Sequence, residues 1–256
     1  MPDATVAPRG AVRTKGNDMN LESTVEQLFH LLVCGDRRRV QAFVTTLGER
    51  GIPAERLAND VYWPVHEMLV KLFKHAQISR LSYNYATRTL RQVAHQGAAG
   101  YVRSDASRGR VLMMCGPTEG EELGAQLAVD LLEAAGYEVF FGGAGVANDE
   151  VLAELTETKP HTLVMWASAA SDAPAIRALI ETIREIGGHP DLRIACGGGV
   201  FNRASGLAEE IGADISATTP TALVAALGSR VADMVAGPRT AARTAAPTGR
   251  RIAKAA

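Results

Sequence analysis

Cysteine is scarce. The three present, Cys34, Cys115 and Cys196, lie far apart and show no Cys-x-x-Cys spacing. An odd, scattered set excludes a disulfide framework and a clustered zinc site, and it fits a reducing cytoplasm. Long apolar runs are also missing, none approaching the roughly 18–20 residues that cross a bilayer, so no membrane partner is expected. The opening stretch MPDATVAPRGAVRTKGND lacks the apolar centre of a secretory signal. Neither sign of charge dominates. With 27 basic and 28 acidic residues the net charge is −1, which calls for neither nucleic acid nor a lipid surface. A dinucleotide fingerprint is lacking, since Gly142-Gly143-Ala144-Gly145 follows the second expected strand without a third glycine or a spaced acidic partner. Ser168 and Ser171 have no His and Asp partners in a nucleophile-elbow context, so no catalytic constellation emerges and the chain is not expected to be an enzyme.

What the chain does contain is enough apolar material, 46% over 256 residues, for two domains. Residues 1–20 read as a disordered leader and 237–256 as a basic disordered tail with five basic residues and no acid. Between residues 21 and 97 the apolar period is helical. Val25, Leu28, Phe29, Leu32 and Val33 share one face, Gly51 suits a C-cap, and Pro64 is expected to kink or divide the third helix. Four helices with short loops predict a bundle. Residues 98–109 form a linker. From 110 to 236 continuous apolar strands (110–116, 137–143, 161–168, 192–199, 214–219) alternate with helices (121–136, 148–159, 173–188, 203–213, 221–236). That alternation predicts an α/β domain with a flavodoxin-like, doubly wound, five-stranded parallel sheet.

Ligands on such sheets sit beyond the carboxyl ends of the strands. Three loops there stand out: 116–124 (GPTEGEELG), 166–171 (WASAAS) and 196–202 (CGGGVFN). In order and spacing they resemble the cobalamin-binding domains, which carry Asp-x-His-x-x-Gly, then Ser-x-Leu, then Gly-Gly. Glu119 to Gly124 falls on the first motif, Ser168-Ala169-Ala170 on the second and Gly197-Gly198 on the third, with 43 and 26 residues between them. Pro64, Phe73 and Ile78-Ser79 resemble the four-helix cap that often precedes these domains. On this resemblance the cobalt-ligating histidine position is Glu121. A carboxylate suits harder ions than cobalt, and Thr118-x-x-Glu121 also reads as a helix capping box. The light-sensing members carry Trp, nine residues, then Glu-His, and the matching positions here are Phe73, Tyr83 and Asn84.

The resemblance implies a binding site of Phe73, Tyr83, Asn84, Thr118, Glu119, Glu121, Gly124, Ser168 and Gly197 to Gly199. In it Ser168 would contact a buried nucleotide tail and the glycines would let ligand approach the backbone. Gly197 to Gly199 read equally well as a tight strand-to-helix turn. The cofactor implied is cobalamin, with haem or biliverdin as alternatives, and for haem His66 or His75 is the axial candidate. Glu119, Glu121 and Glu122 cluster at a helix N-terminus and form a candidate set of paired acids. The function implied is a cytoplasmic tetrapyrrole sensor of the photoreceptor or antirepressor type. It would signal through a protein partner, such as a transcription regulator, because it has no DNA-binding domain of its own. A corrinoid subunit of a methyltransferase, a ligand-free scaffold and a homodimer remain open.

Overall fold

The computed structural model describes residues 20–235. The tail expected over 237–256 and all of the expected leader but Asn20 lie outside those residues. Asn20 belongs to the bundle: its side chain accepts from the Ser23 amide (3.1 Å) and caps α1 (Leu21–Val33). Asp36 caps α2 (Arg37–Glu49) in the same way, and Gly51 follows that helix with φ +76°.

The third helix is divided as Pro64 requires. It runs as α3 (Ala54–Leu57), a π-helical turn (Ala58–Tyr62) and α4 (Trp63–Lys74). A proline inside a helix lacks a donor and clashes one turn back, and the wider turn just before it relieves both conflicts. Ser79 caps α5 (Arg80–Ala98), the longest helix of the bundle. Leu28, Leu32, Val61, Leu69 and Leu90 are fully buried between these helices, each worth about 1.5–3 kcal/mol relative to exposure.

The second unit runs β1 (Arg110–Cys115), α6 (Glu119–Ala134), β2 (Glu138–Ala144), α7 (Asn148–Thr158), β3 (Thr162–Trp166), α8 (Ala173–Ile186), β4 (Arg193–Gly197), α9 (Gly199–Arg203), α10 (Leu207–Glu210), β5 (Ile215–Ala217) and α11 (Pro220–Val235). All strands are parallel, in the order β2-β1-β3-β4-β5, which is the flavodoxin-like order. Alternate residues feed opposite faces. Val111, Met113 and Trp166 join a core continuous with the bundle, α6 and α11, while Leu112, Met114 and Ala167 join one under α8. The bundle therefore packs on α6, on one side of the sheet.

The single helix expected over 203–213 is instead two short ones. The first ends at Arg203, capped by Ala204 at φ −115°, and Gly206, at a left-handed φ of +84°, is the N-cap from which α10 starts.

Two exposed ion pairs tie bundle to α6: Arg88 to Glu119 (3.6 Å) and Arg91 to Glu122 (3.3 Å). Replacing either arginine with Ala is expected to lower unfolding free energy by less than about 1 kcal/mol in urea titration, because exposed pairs are well solvated.

Candidate functional site

The strand order reverses between β1 and β3, so their carboxyl ends form the switch point. Cys115 pairs with Trp166, and Trp166 with Gly197, so three strands end level. Above them lies a cleft of about 490 Å³ between the bundle and the strand ends. Val70, Phe73 and Lys74 of α4 and Arg80, Tyr83 and Asn84 of α5 form its bundle wall. Thr118, Glu119 and Glu121 from the β1–α6 turn, with Ser168 and Ala169 after β3, form the other. Phe73 and Tyr83 stack nearly parallel (centroids 4.2 Å apart, 12°), and the Arg80 guanidinium lies 5.4 Å from the Phe73 centroid. Burial, with the charges of Glu119 and Glu121, pushes the Tyr83 phenol up to about 12, so it stays a neutral donor.

Glu121 lies buried at the foot of the cleft. One carboxylate oxygen accepts from the amides of Ser168 (2.6 Å) and Ala169 (3.0 Å); the other accepts from the Thr118 amide (3.2 Å) and hydroxyl (2.7 Å). The Thr118 hydroxyl in turn accepts from the Glu121 amide (3.2 Å), which completes the capping box read from the sequence. Burial alone would raise this carboxyl, but the donors from Thr118 and Ser168 outweigh it and hold it below its ordinary range. Asp172 nearby moves the other way, raised by burial and by the Glu121 charge. The carboxylate thus stitches the β1–α6 turn to the loop after β3.

The loops after β3 and β4 are joined as closely. The Ala167 amide donates to Gly197 O (2.9 Å), and the Gly199 amide to the Ser168 hydroxyl (3.4 Å). A Cβ on Gly197 would meet the Trp166 ring at 2.6 Å; one on Gly198, where φ is +98°, would meet Ala167 O at 2.4 Å. Lys74 (2.9 Å) and Arg203 both donate to the Ser168 carbonyl, one from the bundle and one from α9.

Of the residues the resemblance assigned, the structure gathers Phe73, Tyr83, Asn84, Thr118, Glu119, Glu121 and Ser168 around the cleft. Gly124, Gly197, Gly198 and Gly199 are not part of its wall. Gly124 packs under Trp166, His66 and Trp63, where a Cβ would come within 2.9, 3.1 and 3.3 Å of them, and the other three form the tight strand-to-helix turn. The acidic trio is not brought together. Glu119 and Glu122 face arginines of α5, while Glu121 turns into the loops. Neither proposed haem ligand offers a nitrogen to the cleft. His66 is fully buried with Nε2 on Gly120 O (2.6 Å), and His75, at the exposed end of α4, holds Lys71 O (2.7 Å). Trp166 opens the loop 166–171 that stands out in the sequence; Lys74, Arg80 and Arg203 do not stand out there. Lys74 beside Phe73 was the available signal; the rest needed the fold.

Burial pushes the Cys115 and Cys196 thiols up to about 12, so neither supplies a thiolate. Among the described residues no group of three or more His, Cys, Asp or Glu side chains is arranged to hold a metal ion, and no helix is long and apolar enough to cross a membrane. A cobalamin held by a lower imidazole, its nucleotide tail passing Ser168 and the glycines, does not fit these residues. Position 121 offers a carboxylate whose acceptor capacity is already used, and the glycines are in contact with Trp166, Ala167 and Arg203.

A family model described as the B12 binding domain matches residues 109–240. A search of curated proteins finds no match. Among solved structures, the Methanosarcina barkeri monomethylamine corrinoid protein aligns with a TM-score of 0.70 at 18% identity, over 81% of this chain and 99% of that one. A cobalamin-binding protein from Desulfitobacterium hafniense DCB-2 aligns at 16% identity and a TM-score of 0.44, over 83% of this chain and 98% of that one. The first alignment spans the bundle as well as the sheet, and at this identity it speaks to the fold alone. The family match covers just over half of the 256 residues and contains the switch point, the Glu121 turn and the glycine turn; this chain belongs to the B12-binding domain family.

Proposed function

We propose that this protein is a non-catalytic, ligand-responsive regulatory module. It takes a planar tetrapyrrole into the cleft between bundle and sheet and signals to a protein partner. The observation that carries the reading is the cleft itself. At about 490 Å³ it falls in the roughly 300–1,000 Å³ range of small-molecule pockets. Its bundle wall contains the mutually stacked rings of Phe73 and Tyr83, with Arg80 over Phe73 and Lys74 beside them. Such a wall suits a conjugated ring with polar or anionic substituents at its edge.

A methyl-carrying role is less well supported. Cycling cobalt between oxidation states draws on a tunable lower ligand, and Glu121 is committed to four hydrogen bonds. A regulatory role draws instead on contact with two structural units at once. A ligand in the cleft touches α4 and α5 on one side and the strand-end turns on the other, so its binding energy acts on the bundle–sheet contact.

The test is retention of colour. Protein incubated separately with cobinamide, hydroxocobalamin, haem and biliverdin, then desalted, is expected to keep a visible absorption band with at least one. The same ligand is expected to slow hydrogen exchange in α4 and α5. Phe73→Ala removes the lining ring that holds Tyr83 in place and is expected to weaken that ligand about tenfold, the equivalent of about 1.4 kcal/mol. No retained band with any of the four rejects the reading.

A further inference from the structure

We infer that this protein selects planar tetrapyrroles without a nucleotide tail, because the crevice that would receive a tail is closed by its own side chains. The inference rests on the cleft reading above and concerns the ligand class admitted there.

On an open α/β sheet the entry between strands lies at the switch point, here between the carboxyl ends of β1 and β3. Glu121 fills it. A Cβ on Gly116 would come within 2.6–2.7 Å of the Glu121 carboxyl group, so the carboxylate lies directly on the end of β1, while one of its oxygens accepts from Ser168 and Ala169 after β3 and the other from Thr118. The Gly116 amide also donates to Trp166 O (2.9 Å), closing the two strand ends backbone to backbone.

The neighbouring entry, between β3 and β4, is closed by a second set of contacts. The indole of Trp166 is fully buried against Gly197, and the Ser168 hydroxyl is turned inward to the Gly199 amide. Arg203 covers the outside. Its guanidinium would lie 2.9 Å from a Cβ on Gly199, and it donates to the Ser168 carbonyl together with Lys74. A bulky, polar tail would have to break one of these sets of contacts, and at the β1–β3 entry it would leave the Ser168 and Ala169 amides without their acceptor. The cleft above, bounded by Phe73 and Tyr83, stays open to a ring that lies flat.

Cobinamide, a corrin ring without the nucleotide, and hydroxocobalamin, the same ring with it, separate the two demands. Dissociation constants are measured for both by absorbance titration of the full chain. Cobinamide is expected to bind at least tenfold more tightly. In Arg203→Ala, a surface change that uncovers the β3–β4 entry, the ratio is expected to narrow at least threefold through tighter cobalamin binding, with the circular dichroism spectrum unchanged. Cobalamin binding as tightly as cobinamide overturns the inference and leaves the cleft reading in place. A ratio unaltered by Arg203→Ala overturns the assignment of exclusion to this closure. Neither corrinoid binding also overturns the inference, and if haem and biliverdin fail as well, the cleft reading falls with it.

Discussion

Glu121→Leu is expected to lower the free energy of unfolding by about 4 kcal/mol. Leucine roughly matches the volume, so little of the loss comes from a cavity. The cost arises from donors left behind. Ser168 is buried, and its amide sits 2.6 Å from the carboxylate, with the Ala169 amide at 3.0 Å and the Thr118 amide and hydroxyl at 3.2 and 2.7 Å. Each buried donor that loses its acceptor costs about 1–3 kcal/mol. The broken capping box adds about 1 kcal/mol at the start of α6. Glu121→Gln keeps one oxygen and is expected to cost about half as much. The carboxyl is held below its ordinary value of 4.5. Its contribution is therefore complete at neutral pH and fades only as pH falls below that value toward the lower folded one. Urea titrations of the three proteins at pH 7.5, with unchanged slopes, measure the differences. A loss below about 1 kcal/mol for Glu121→Leu would show that the loops after β1 and β3 are held by other contacts.

The same residue shows how far the sequence could be read. Thr118-x-x-Glu121 was legible as a capping box because both bonds are local, closing within one turn of helix. The bonds from Glu121 to Ser168 and Ala169 were not, because they span 47 and 48 residues and depend on β1 and β3 being neighbours. The strands themselves were readable, since each is an apolar run ended by glycine or a polar turn. So was the division at Pro64, which follows from one missing donor. The helix expected over 203–213 failed because its apolar period continues through Gly206, whose positive φ breaks it. The glycines at 197–199 carried two readings, a ligand approach and a tight turn. The positions of Trp166 and Ala167, each 31 residues earlier in the chain than the glycine it touches, favour the second. The resemblance to cobalamin-binding domains located the cleft, and the residues that depart from that pattern, Glu121 foremost, determine what the cleft can hold.

Acid is expected to destabilise the protein between pH 6.5 and about 4 through His66, by about 3 kcal/mol in total. The ring is fully buried and stacked on Trp63 (centroids 5.2 Å apart), which in turn meets Trp166 edge-on at 5.6 Å. In the neutral tautomer Nε2–H donates to Gly120 O, while Nδ1 has no partner. Protonation would place a charge and a second N–H where nothing accepts it. Burial therefore lowers the imidazole to about 4, against the smaller raising effects of the Gly120 bond and the Glu121 charge, and the Lys74 ammonium adds to the lowering. The unfolded chain, with the ordinary value of 6.5, binds the proton first. Stability is thus full above pH 6.5 and falls with each step below it, by about 1.4 kcal/mol per pH unit, until the folded imidazole also titrates. Burial raises the carboxyls of Glu67, Asp130, Glu133 and Asp172, and these contribute with the opposite sign. The measurement is therefore a difference. Unfolding free energies of the wild type and His66→Gln, which keeps a donor for Gly120 O but cannot charge, are compared at pH 7.5, 6.5, 5.5 and 4.5. The gap is expected to change by about 2.5 kcal/mol in favour of Gln as pH falls to 4.5; parallel curves would mean that water reaches Nδ1 and the proton is tolerated. Because His66 joins α4 to the first turn of α6, the same proton would loosen the bundle wall of the cleft from the strand ends beneath it.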